Sequence, residues 1–246
     1  GEAQPSSAVS GSGSAQTSGN DGEETLVVYT ARSESLNNAV IENFEADTGI
    51  HVEVLSNAEQ HFLGYKSIAA IENGFKKMIQ KGTAILDVGG GNLQISLFDK
   101  DALVTTQSLK MGSVRIRQRL KELEKTNTNY AQLVEEFIRN DLTGFKRLYL
   151  KDREIKNLIL MGDFLTETIF REERQDNIIT RAEFEKRYEN TVYKTETSLS
   201  EEMDIDPEYA ALIVPTMVIC KDFMDLFNAE ALWMPGVSLL DGIAYD

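Results

Sequence analysis

The 246 residues carry 25 Lys and Arg against 40 Asp and Glu, a net charge of -15. That balance argues against a general nucleic-acid binder, though not against an anion held in a local basic pocket. Cys220 is the single cysteine, so an intrachain disulfide and a cysteine zinc site are excluded; with His51 and His61 the only two histidines, the sequence argues against a multi-histidine metal centre and a Ser-His-Asp triad. No apolar run approaches the ~20 residues of a membrane helix, and no cleavable signal peptide is read at the start of the chain.

Residues 1–24 are almost entirely small, polar or acidic and are predicted to be a disordered tether whose removal leaves stability unchanged. Leu26-Val27-Val28-Tyr29-Thr30 reads as a buried strand, and Leu36, Val40 and Phe44 follow at helical spacing up to Thr48-Gly49. His51 to Leu55 alternates like a second strand, which would complete a β-α-β unit. Ser56-Asn57-Ala58-Glu59 has the capping-box pattern and predicts a helix running through Ala70.

Next come a strand from Thr83 to Val88, a turn at Gly89-Gly90-Gly91 and a strand from Asn92 to Phe98. A turn at Asp99-Lys100-Asp101 leads into a third strand from Ala102 to Ser108. Helices are predicted near 113–125 and 129–140, a buried strand at Asn157 to Met161, and a helix over 181–191 with Thr180 and Glu183 as its capping box. Asp206-Pro207 starts a last long helix that Pro215 should kink or split. Together these elements predict a three-stranded antiparallel meander inside a five-stranded mixed sheet flanked by helices.

The segment Asp87-Val88-Gly89-Gly90-Gly91-Asn92 is the chemically informative one. Glycines permit positive φ and let an anion approach backbone amides without a Cβ in the way, and the acid before them can hold a hydrated cation against a phosphate. A strand follows the glycines rather than a helix, so this is neither a dinucleotide fingerprint nor a P-loop. The bland alternative is a glycine-rich hairpin. Lys110, Arg115, Arg117, Arg119, Lys121 and Lys125 form a basic stretch beginning beside this turn; it reads either as a solvated helix face or as a rim that steers polyanions.

Four ordered segments are similar to the exopolyphosphatase and guanosine pentaphosphate phosphohydrolase (Ppx/GppA) family. They are Val54 to Gln60, Ile85 to Gly91, Ser108 to Arg115, and Met234 to Asp246, so the resemblance runs from about Gly49 to the end. It implies a ribonuclease-H-like domain of the actin-like ATPase superfamily, acting on the phosphoanhydrides of polyphosphate or guanosine pentaphosphate with a divalent cation such as Mg²⁺. Carried over by position, Asp87, Gly89, Gly90, Gly91 and Asn92 would contact phosphate, Asp87 would hold the metal, and Glu59 would be the catalytic acid bordering the cleft. Gln94 stands where many members have Glu, and Gly162-Asp163 replaces a common Gly-Gly-Thr. The family's opposing phosphate loop and water-activating glutamate have no match before Gly49, so the resemblance implies half of a catalytic centre, completed by a homodimer if at all.

Residues 1 to about 50 instead resemble the start of a periplasmic iron-binding lipoprotein of a transporter, on Leu26 to Glu34 and Asn43 to Ile50. The expected organisation is a tether at 1–24, a β-α unit of that kind at 25–50 and a phosphate-binding domain at 51–246: a chimera. The phosphatase-like part is expected in the cytoplasm, whereas the front resembles a secreted lipoprotein. Two other functions stay open, a non-catalytic phosphate-binding module and an iron-transporter solute-binding fragment.

Overall fold

The computed structural model describes residues 34–71, 75–124, 129–151, 153–171, 177–237 and 239–244. The predicted tether and the Leu26 to Thr30 strand lie outside the described residues. The chain divides into two units, Gly1–Val54 and Leu55–Asp246.

In the first unit, helix α1 (Glu34–Thr48) ends at Gly49, whose φ of 72° is the left-handed stop a glycine accepts readily. None of residues 38–54 is buried. The expected strand at His51 to Leu55 does not form. The Glu45 carboxylate takes the Val52 amide at 2.8 Å and the His51 ring at 2.8 Å, so a side chain rather than a neighbouring strand satisfies this backbone.

The second unit opens with α2 (Asn57–Ile71) and the short α3 (Phe75–Met78). The meander follows: β1 (Thr83–Val88), β2 (Leu93–Asp99) and β3 (Ala102–Leu109), with Asp87 opposite Gln94 and Gln94 opposite Ser108. Helices α4 (Ser113–Glu124) and α5 (Tyr130–Phe145) come next, the latter extended by a π-helical turn at Lys146–Leu150. Then come β4 (Asn157–Met161), α6 (Phe164–Glu167), β5 (Ile178–Thr180), α7 (Arg181–Thr191), α8 (Glu196–Met203), α9 (Pro207–Ala210), α10 (Ile213–Phe227), β6 (Ala231–Trp233) and α11 (Leu239–Ala244). No helix is long and apolar enough to cross a membrane among the described residues.

The sheet order is β3-β2-β1-β4-β6-β5. β1, β4 and β6 are parallel and β2, β3 and β5 antiparallel to their neighbours, which is the ribonuclease-H-like arrangement with one further strand. The sheet thus has six strands, not five. The addition is the three-residue β5, too short to show a period-two pattern.

Alternation along the strands builds two cores. Ala84, Leu86, Leu93, Ile95, Leu97, Leu158 and Leu160 face α4, α5 and α10; Ile85, Phe98 and Ile159 face α2 and α3. On α5, Ala131, Val134, Ile138, Leu142 and Phe145 form the buried stripe that its 3–4 residue spacing dictates. On the opposite face Tyr65, Phe75 and Phe98 pack as an aromatic trio with centroids 5.3 to 6.2 Å apart. Pro215 splits the last apolar run: its ring forbids the carbonyl of Ala211 a helical bond, and the chain breaks at Ala211 and Leu212 between α9 and α10.

Candidate phosphate site at the glycine turn

The Gly89 amide donates to the Asn92 carbonyl at 3.0 Å, making Gly90 and Gly91 the tip of the β1–β2 hairpin. All three glycine carbonyls are then consumed by the start of α4. The Ser113 amide donates to Gly89 at 3.1 Å, the Arg115 amide to Gly90 at 3.0 Å, and the Gly112 amide to Gly91 at 3.3 Å. Donors that a helix normally leaves orphaned are satisfied by the turn, so this helix start is closed to an anion. The amides of Gly90 and Gly91, by contrast, have no partner among the described residues.

The glycines are there for a reason different from the one read in the sequence. None of Gly89, Gly90 or Gly91 takes a positive φ. What requires small residues is close approach. A Cβ on Gly112 would lie 2.4 Å from the carbonyl carbon and oxygen of Gly90, and one on Gly90 would lie 3.1 Å from Val114 Cγ2. Gly112 therefore belongs to the turn, and so does Arg115. The half-buried Arg115 guanidinium donates through Nε to the Gly91 carbonyl at 2.7 Å, leaving its outer nitrogens unpaired among the described residues. Among the described residues of the basic stretch Arg115 alone is held to the turn; Arg117 forms a two-pronged pair with Glu196 at 3.1 Å.

Asp87, the last residue but one of β1, lies on the α2-facing side, opposite Gln94 on β2 and Met161 on β4. It is half-buried, and desolvation pushes its carboxyl above the ordinary carboxylate range. Gln94 is buried and donates through Nε2 to Gln60 Oε1 of α2 at 3.4 Å, while its own Oε1 has no hydrogen-bond partner among the described residues. An orphaned amide oxygen beside a carboxylate of raised pKa is a hard-donor pair that a cation would relieve. No group of three or more His, Cys, Asp or Glu is poised for a metal among the described residues, so an all-protein cage is absent there. Two oxygens fit a hydrated Mg²⁺ that shares its shell with a phosphate.

Glu59 reaches this end of the sheet by way of its neighbour Gln60, but its carboxylate is used locally. The Ser56 amide donates to it at 2.7 Å and the Glu59 amide donates to Ser56 Oγ at 3.3 Å, completing the capping box. Hydrogen bonds from the Ser56 hydroxyl and then its amide hold the exposed Glu59 carboxyl below its ordinary value. Asn92 sits half-buried beside the tip.

Comparison with known proteins adds the context. A model of the Ppx/GppA phosphatase family matches residues 26–246, taking in the stretch that resembles a lipoprotein. A comparison with curated proteins found no match. An exopolyphosphatase from Cytophaga hutchinsonii has the same fold at 16% identity, with a TM-score of 0.72 over 86% of this chain and 70% of that one. The Ppx/GppA family member of Aquifex aeolicus superposes with a TM-score of 0.62 at 14% identity, covering 84% of this chain and 67% of its own. Sheet order, glycine turn and family match converge, and the chain belongs to the Ppx/GppA phosphatase family.

Proposed function

We propose that residues 51–246 bind the terminal phosphates of polyphosphate or guanosine pentaphosphate at the glycine turn and support phosphoanhydride hydrolysis there. The observation that carries this reading is the one-sided hydrogen bonding of the turn: carbonyls committed to α4, amides of Gly90 and Gly91 left unpaired, and Arg115 anchored beside them. Phosphoryl transfer is catalysed by positioning and by donors placed where charge spreads over the phosphate oxygens. Gly89 to Gly91 and Asn92 would cradle the phosphate, and the Arg115 guanidinium would offset its charge. Asp87 with Gln94 Oε1 would hold a hydrated Mg²⁺, which when bound neutralises phosphate charge.

Glu59 is the acid that the family resemblance assigns to catalysis, yet a carboxylate held low by Ser56 is a weak base for activating water. Binding should therefore outrun chemistry, and pairing of two copies is one way to bring a stronger base to the open side. The second reading, a phosphate-binding module that turns nothing over, is favoured by the same capping box. Phosphate release from polyphosphate with Mg²⁺, run beside a binding titration, tests both. Binding that weakens with salt and in Arg115→Ala, with slow release, is expected. No binding at all sinks the reading, and fast turnover abolished by Glu59→Gln removes the binding-only alternative.

A further inference from the structure

The end of the sheet opposite the glycine turn carries a second concentration of positive charge. The β2–β3 turn, the segment before β1 and the segment before β4 enclose a cleft of about 840 Å³. Lys81, Lys100, Lys151, Arg153 and Lys156 line it against two carboxylates, Asp99 and Glu154. Glu154 pairs with Lys156, while Lys81, Lys100 and Lys151 have no acidic partner among the described residues. In a chain of net charge -15 this is a local reversal of sign. By strand rise it lies roughly 15–20 Å from Asp87.

The floor of the cleft is rigid. The amides of Lys156 and Asn157 donate to the Gly82 carbonyl at 2.7 and 3.1 Å, and the Asn157 side chain donates to Met78 and Thr83 at 3.2 and 3.0 Å. A Cβ on Gly82 would fall 1.9 Å from the Glu154 carbonyl oxygen, so the two loops are locked face to face. Two of the lysines occupy backbone conformations that lysine adopts at a cost. Lys100 has φ 52° in a turn whose next residue, Asp101, has φ 63°; Lys151 has φ 44° and ψ -114°. Asn tolerates the first of these and Gly the second, so the charge is kept where the backbone argues against it.

We propose that this cleft is a second anion site, taking a small non-aromatic polyanion with several phosphate-type charges. Lysines are point charges on flexible stems, suited to a non-planar chain of phosphates. Among the described residues no aromatic side chain lines the cleft to stack a base. The site is independent of the reading of the glycine turn.

The test uses the full chain, tripolyphosphate as probe and calorimetric titration at low salt. Lys100→Asn with Lys151→Gly removes two charges while relaxing the backbone, so melting should be unchanged or raised. This double variant should lose one tripolyphosphate, or at least ten-fold in its affinity, and Arg115→Ala should retain that same event. If the glycine turn binds nothing, the wild type shows a single event and the double variant still abolishes it. The proposal is overturned if the double variant titrates like wild type. It is also overturned if ATP binds ten-fold tighter than tripolyphosphate at the site, or if a single-stranded oligonucleotide rather than tripolyphosphate responds to the double variant.

Discussion

Gly112 and Gly91 lie within one hydrogen bond of each other and should behave oppositely on substitution. A methyl on Gly112 meets backbone at 2.4 Å, which cannot yield as a side-chain tip would. Gly112→Ala is expected to destabilise the fold by about 2–3 kcal/mol in denaturant titrations and to lose anion binding with it. At Gly91 the added carbon would stand 3.8 Å from Arg115 Nη2, an ordinary contact, and φ is not positive. Gly91→Ala should keep its stability within about 0.5 kcal/mol yet weaken tripolyphosphate binding, because the methyl occupies the approach to a free amide. Equal stability loss in the two variants would contradict the close-approach account. The sequence located the turn, Asp87 and the basic stretch because residue types alone mark them. It did not reveal why the glycines are needed, although the capping-box pattern did show that Glu59 is spent on Ser56. The need for the glycines depends on α4 meeting the turn, and no local pattern encodes such a meeting. The single signal within reach was Gly112, a glycine just ahead of a helical pattern with no turn of its own to serve.

Element boundaries were legible wherever local chemistry decides them. The Thr180–Glu183 capping box is present with both hydrogen bonds, Thr180 accepting from the Glu183 amide at 3.3 Å and its own amide donating to Glu183 at 2.9 Å. Arg181 then ties α7 to the end of α10, donating to Met224 and Ala229 carbonyls at 2.7 and 2.9 Å and to Asp225 at 2.6 Å. Thr180→Ala should cost about 1 kcal/mol. Arg181→Met, which keeps the stem but takes the donor from the Ala229 carbonyl and one cation from Asp225, should cost more, roughly 2–3 kcal/mol. Urea midpoints at constant slope check the order of the two; a costlier Thr180→Ala would show that the cap, not the arginine, fixes α7. Legibility failed where partners decide. His51 to Leu55 alternates as a strand should, but gains no ladder, while Ile178–Thr180 becomes a strand because β6 offers one. The helix expected over 129–140 runs on through Phe145 into a π-helical turn for the same reason: its path is set by burial of Leu150 in the main core, not by a stop signal.

At the scale of the whole molecule, carboxylates crowded between α5 and α10 shape the pH dependence of stability. Asp222 is half-buried, and burial, with the charges of Glu135 and Asp225, pushes its carboxyl up to about 7 against the partial relief of Lys221 and Arg139. The same setting raises the facing Tyr188 hydroxyl to about 12. In the unfolded chain Asp222 ionises near its ordinary 3.8. Between about pH 4 and pH 7 the unfolded state has therefore released a proton that the folded state keeps, so this group makes stability fall as pH rises through that window. Above pH 7 the loss is complete. Three pH units at about 1.4 kcal/mol each set a ceiling near 4 kcal/mol, and the exposure of the site reduces the working figure to roughly 1–2 kcal/mol. Asp222→Asn is thus expected to raise the melting temperature by a few degrees at pH 8 and to leave it unchanged at pH 4. Asp225, held below its ordinary value by Lys221 and Arg181 in spite of burial, works with the opposite sign and at lower pH, so it does not mimic the effect. Melting curves of the two proteins at pH 4, 6 and 8 decide the matter: a constant offset would mean that Asn repacks the site for reasons unrelated to charge, and no offset at pH 8 would mean that Asp222 is ionised at little cost.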